Sequence, residues 1–114
     1  MPLQQFLKAL KSNPKLITFE QTMKTIEEHY LYTDTAFDNG KLKNAAGENI
    51  GSCKLFAFAQ MQQLTNEQTL NCFGDYYRKD VVQHPQATDH GNIRNFMQYG
   101  WEGIKFHAAA LHSL

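Results

Sequence analysis

Gly51-Ser52-Cys53-Lys54-Leu55-Phe56-Ala57-Phe58-Ala59-Gln60-Met61-Gln62-Gln63-Leu64 is the stretch that decides the fold. Ser52 is a good helix N-cap, which sets a helix from Cys53 to Leu64. Leu55, Phe56, Ala57, Phe58, Ala59, Met61 and Leu64 surround most of its circumference. A helix that is apolar on most sides is buried. This one therefore belongs at the centre of the molecule, with Phe56, Ala59 and Met61 nearly inaccessible.

Other helices flank it. Leu3, Phe6, Leu7 and Leu10 fall at i, i+3, i+4, i+7 after Pro2 and predict a helix over 2–11, ended by Asn13-Pro14. Thr18 with Gln21 is a capping box opening a helix over 18–30, with Phe19, Met23, Ile26 and Tyr30 as its apolar stripe. Thr65 with Gln68 is a second capping box. It predicts a helix over 66–83 with Leu70, Phe73, Tyr77 and Val81 inward, stopped by His84-Pro85. Thr88 or Asp89 caps a fifth helix over 90–100, with Ile93, Phe96 and Met97 inward.

Residues 33–51 lack a helical period. Asn39-Gly40 favours a type I′ turn between Ala36-Phe37 and Lys41-Leu42. Ile104-Lys105-Phe106 reads as a short strand against this hairpin, and Ala108 to Leu111 as a last helical turn. The expected fold is mainly α: a single compact helical domain over 1–114, of about five helices with a small two- or three-stranded β element.

At 114 residues there is room for one core, and the 42% apolar fraction, with eight Phe, is enough to fill it. Eleven basic and eleven acidic residues cancel, so no basic field attracts nucleic acid or an anionic membrane. No stretch approaches the roughly 20 apolar residues of a membrane span. Met1-Pro2-Leu3-Gln4-Gln5-Phe6-Leu7 lacks the basic and long apolar regions of a secretory signal. Two cysteines, Cys53 and Cys72, make no disulfide framework, and a reduced cytoplasmic setting is the default.

Two polar helix starts carry the candidate chemistry, because helix starts present unpaired N–H groups and a positive dipole end. Cys53, in a first helical turn beside Lys54, is expected to have a lowered pKa and to act as a nucleophile with His90 as its base. The competing reading is a buried core thiol, as free cysteines usually are. Asp89, Asn92 and Arg94, with Asn39 and Asn49 from the long loop, are the candidate binding residues of a polar pocket. For Asp89 and Arg94 a helix cap and a structural ion pair are the alternative, with Asp75, Asp80, Glu28 or Asp89 as partner of Arg94. His29, His84, His90, His107 and His112 have no metal-ligand spacing, and no phosphate cradle or G-x-S-x-G elbow is present. Neither a metal nor a cofactor is expected.

At these residues the chain resembles the HopJ-type type III effector family. The matching blocks are Ile26-Glu27-Glu28-His29-Tyr30, Thr35-Ala36-Phe37 with Asn39-Gly40, and Ala46-Gly47-Glu48-Asn49. They continue through Gly51 to Ala59, Phe73-Gly74-Asp75-Tyr76-Tyr77-Arg78, and Asp89-His90 to Ile104. The resemblance runs from about residue 18 to about 107 and brings no catalytic residues with it. It implies a HopJ-like, virulence-related bacterial protein, with a type III route into a host cell besides the bacterial cytoplasm. Two functions follow. One is a non-enzymatic module that binds or regulates a protein partner, and the other is a small cysteine-dependent enzyme using Cys53 with His90.

Overall fold

In the computed structural model, which describes residues 1–114, the chain opens with helix α1 (Leu3–Ser12), whose Phe6 and Leu10 enter the core. Pro14–Leu16 makes one 3-10 turn where Asn13-Pro14 ends the helix. Helix α2 (Phe19–His29) starts at the capping box. The Thr18 hydroxyl accepts the Gln21 N–H at 3.1 Å and the Gln21 side chain accepts the Thr18 N–H at 3.0 Å. Strand β1 (Tyr30–Tyr32) follows directly, then β2 (Phe37–Asn39) and β3 (Leu42–Asn44). Helices α3 (Ile50–Met61) and α4 (Asn66–Asn71), a π-helical segment (Tyr76–Val81) and α5 (Gly91–Tyr99) come next. A 3-10 turn (Gly100–Gly103) leads to β4 (Ile104–Phe106) and β5 (Leu111–Ser113). The fold is mainly α with two small antiparallel sheets, ordered β3-β2-β4 and β1-β5.

The central helix is confirmed, and its hub is Phe56. Its ring lies 5.0–6.5 Å from those of Phe37, Phe73, Phe96 and Trp101. Phe56 and Ala59 are inaccessible, but Met61 is 47% exposed, because α3 ends there and the chain turns away. Leu64, beyond the end of α3, is buried. The Trp101 indole N–H donates to the Leu64 carbonyl at 3.0 Å.

Helix α3 begins three residues earlier than the Ser52 cap implies. Its N-cap is Asn49, in the left-handed region at φ 49°. Asparagine tolerates that region, and its side chain is held by Asn44 Oδ1 at 2.7 Å. Gly51 makes the early start possible, since a Cβ there would lie 2.8 Å from the Phe19 ring.

The single helix expected over 66–83 is broken. Its capping box is present, with Thr65 and Gln68 exchanging bonds of 3.0 and 3.1 Å. At Gly74, however, φ is +63°, and a Cβ would sit 2.7 Å from the Phe19 backbone nitrogen. The helix gives way there so that the start of α2 can pack against it. The Thr22 hydroxyl then donates to the Cys72 carbonyl at 2.8 Å. Arg78 locks the same junction, donating to the carbonyls of Pro14, Ile17 and Asn71 and to Asn71 Oδ1.

The hairpin is present with a different turn. Asn39 pairs with Leu42, so the loop is Gly40-Lys41. Only Gly40 has positive φ there, which fits type II′ rather than I′. Strand β4 pairs with β2 as expected. The helical turn expected at Ala108–Leu111 is instead the approach to β5. One isolated turn cannot repay its nucleation cost, whereas β1 offers an open ladder that β5 completes, with Tyr32 opposite Leu111.

Candidate functional site

The long loop and the fifth helix meet through asparagine side chains. Asn39 donates to the Asn92 carbonyl at 2.7 Å and to Asn92 Oδ1 at 3.0 Å. Asn92 donates to Asn44 Oδ1 at 3.0 Å, and Asn49 donates to the same oxygen at 2.7 Å. Three of the expected binding residues are thus brought together. Asn39, Asn44 and Asn92 are all buried, so their amides mainly fix the start of α3 against the start of α5. Asn44, the link between them, is not among the residues expected from the sequence to bind. Three asparagines within one loop was the available signal.

Above this network lies a cleft of about 590 Å³, lined among others by Gly51, Ser52, His90, Gly91, Phe19 and Tyr76. Both helix starts open onto it. Each N-cap, Asn49 and His90, is left-handed and makes no side-chain cap. The first backbone donors paired within these helices are Cys53, to Asn49, and Arg94, to His90. The N–H groups of Ile50, Gly51, Ser52, Gly91, Asn92 and Ile93 therefore donate to nothing in the chain.

The cap of α5 is thus His90, not Thr88 or Asp89, so the position given to a capping carboxylate belongs to an imidazole. His90 Nε2 donates to Asp80 Oδ2 at 3.0 Å, with Asp89 Oδ2 at 3.7 Å, and its ring lies 5.2 Å from Tyr76. Asp89 turns instead to Arg94. The guanidinium meets its carboxylate at 2.8 Å and its carbonyl at 2.6 Å. This hydrogen bond, chiefly, holds the Asp89 carboxyl below its usual pKa. Arg94 lines a separate groove of about 500 Å³ with Tyr77, Val81, Val82, Pro85 and Met97. It does not share the pocket of the long loop.

Cys53 reverses the expectation made for it. With α3 starting at Ile50, Cys53 stands one turn inside, and its side chain is 0% exposed. Burial pushes its thiol up, and the Sγ donates to the Thr35 carbonyl at 3.5 Å. Lys54 points elsewhere, its ammonium 5.2 Å from the Tyr32 ring centre. Cys53 is not among the residues lining the cleft that holds His90. Cys72, read as structural, is equally buried, and burial pushes its thiol up to about 12. No group of three or more His, Cys, Asp or Glu side chains is placed to hold a metal ion. No helix is long and apolar enough to cross a membrane.

This is a helical protein with a polar cleft between two uncapped helix starts. The description of the HopJ type III effector protein family matches residues 3–111, and the chain belongs to that family. A crystal structure of a protein of unknown function, VPA0580, is similar to it. The two share 55% identity and a TM-score of 0.99, over 100% of this chain and 95% of the other. Comparison with curated proteins gives no match.

Proposed function

We propose that this HopJ-family protein is a non-enzymatic module that binds or regulates a protein partner, and that the cleft between α3 and α5 is where the partner is held. The observation that carries this is the set of unpaired amides at both helix starts, with Gly51, Ser52, Gly91, Asn92 and Ile93 lining one cleft. Such donors suit main-chain carbonyls or a carboxylate of a bound segment. The network of Asn39, Asn44, Asn49 and Asn92 holds them in place before binding, which lowers the cost of ordering. The competing proposal, a cysteine enzyme using Cys53 with His90, requires the thiol to be reached and ionised. Its burial and raised pKa both oppose this.

The module's setting is the bacterial cytoplasm, with delivery to a host cell by a type III system as the second setting its family points to. Export of an unfolded chain would first have to strip α1, whose Phe6 and Leu10 belong to the core.

The test is a pull-down from bacterial and host-cell extracts with the full chain, beside a Gly91→Glu variant that places a carboxylate at the mouth of the cleft. A partner kept by the wild type and lost by a folded Gly91→Glu supports the proposal. A partner kept equally by both refutes the cleft as the site.

A further inference from the structure

The cleft is one end of a longer depression. Phe19 and Tyr76 line it, and they also line a small hollow of about 150 Å³ beside Thr18 and Asp75. The same two rings line a shallow trough of about 520 Å³ along α2, with Met23 among its lining residues. The two rings meet edge to face at 5.2 Å, and Tyr76 is 41% exposed. A groove with Phe19 and Tyr76 in its wall therefore runs from the helix starts along one face of α2.

Its rim has one sign of charge in excess. Glu20, Glu27 and Glu28 line the trough, against the single cation Lys24. Glu28 is met by the chain's amino terminus at 3.5 Å, and Asp75 is met by Lys79 at 3.6 Å. Glu20 and Glu27 have no ion-pair partner within 4.0 Å. Carboxylates beside an exposed aromatic face attract a guanidinium or ammonium, through charge and through the ring quadrupole.

We propose that this groove holds an extended, basic segment of a protein partner, with an arginine or lysine side chain over the Tyr76 and Phe19 rings between Glu20 and Glu27. The partner's main-chain carbonyls then reach the unpaired amides of the cleft. Backbone and basic side chain are read at two ends of one groove. This rests on the binding-module reading and adds the partner's chemistry to it.

The test is an NMR titration of the full-length ¹⁵N-labelled chain with three end-blocked probe peptides. They alternate alanine with arginine, glutamine or glutamate. The arginine peptide should shift Phe19, Glu20, Met23 and Tyr76 together with Gly51 and Gly91. It should weaken about fivefold or more in a Glu20→Gln, Glu27→Gln double variant and in Tyr76→Leu, the size expected for one cation–π contact and two charges. Both glutamates are on the surface, so the double variant should keep its fold and give an interpretable result.

Equal binding of the glutamine peptide overturns the charge selection. A glutamate peptide that shifts Gly51 and Gly91, while the arginine peptide leaves Tyr76 unmoved, overturns the basic partner and leaves the cleft as a binding site. No shift from any probe removes both. Free arginine amide binding as tightly as the peptide would make the ligand a small cation. Concentration-dependent broadening of the Tyr76 region without peptide would make the occupant a second copy of the chain. Either result overturns the proposal.

Discussion

Replacing Phe56 by alanine removes the side chain on which the core converges. Phe56 is 0% exposed, and its ring meets Phe37, Phe73, Phe96 and Trp101. Truncating a buried phenylalanine costs about 3–5 kcal/mol, part of it lost transfer energy and part the cavity left behind. Four aromatic neighbours place this site in the upper half of that range, since such ring pairs contribute about 0.5–1.5 kcal/mol beyond burial. The neighbours come from β2, the turn after α4, α5 and the 3-10 turn, so no single element can move in to fill the space. Against a total stability of about 5–15 kcal/mol, the loss is about a quarter or more. Urea unfolding followed by tryptophan fluorescence reads it directly, because Trp101 packs on the same ring. With a slope of about 2 kcal/mol per molar, the midpoint should fall by about 2 M with the slope unchanged. A loss below about 1 kcal/mol would show that Phe56 is not the hub of the core.

Both thiols are buried and have raised pKa values, so neither Cys53 nor Cys72 should react with iodoacetamide in the native protein, and both should label together once urea unfolds it. Rapid native labelling of Cys53 alone would restore the nucleophile. The same shifts give a pH dependence. A folded pKa above the unfolded one means full stability below about pH 8.5 and a decline as pH rises, which Cys53→Ala with Cys72→Ala should flatten in thermal melts. Gly74→Ala forces φ of +63° on a residue with a Cβ and pushes that atom onto the Phe19 backbone. It should cost at least about 1–3 kcal/mol in urea unfolding, and a neutral result would mean that the junction relaxes. Arg78→Met should lower stability by about 1–3 kcal/mol, because the Ile17 carbonyl loses its donor and the guanidinium's bonds to Pro14 and Asn71 are lost. Arg94→Ala should lower it far less, since Asp89 is 56% exposed. The reverse order in thermal melts would refute the assignment of Arg78 as the structural arginine.

What could be read from the sequence is what short spacings encode. The capping boxes at Thr18 and Thr65 close within four residues and are present as read. The burial of α3 follows from an apolar surface on nearly every side, which no arrangement of neighbours could leave in water. The hairpin and β4 were visible for the same local reason, since short strand runs flank a glycine turn.

Tertiary structure decided the features whose partners lie far along the chain. Gly74 could have continued a helix, but the backbone of Thr18 and Phe19 occupies the space a side chain would need. Leu111 could have ended a helical turn, but Tyr32 lay open to pair with it. The candidate site shows this most clearly. A cysteine near a helix start carries a dipole argument for a lowered pKa. A shift of the start by three residues turned the same thiol into the core, and desolvation then reversed the sign. The cleft itself exists because Asn39, Asn44, Asn49 and Asn92 clasp two helix starts some forty residues apart. Hydrogen bonds across such separations depend on where the core holds each element, and no local spacing records that.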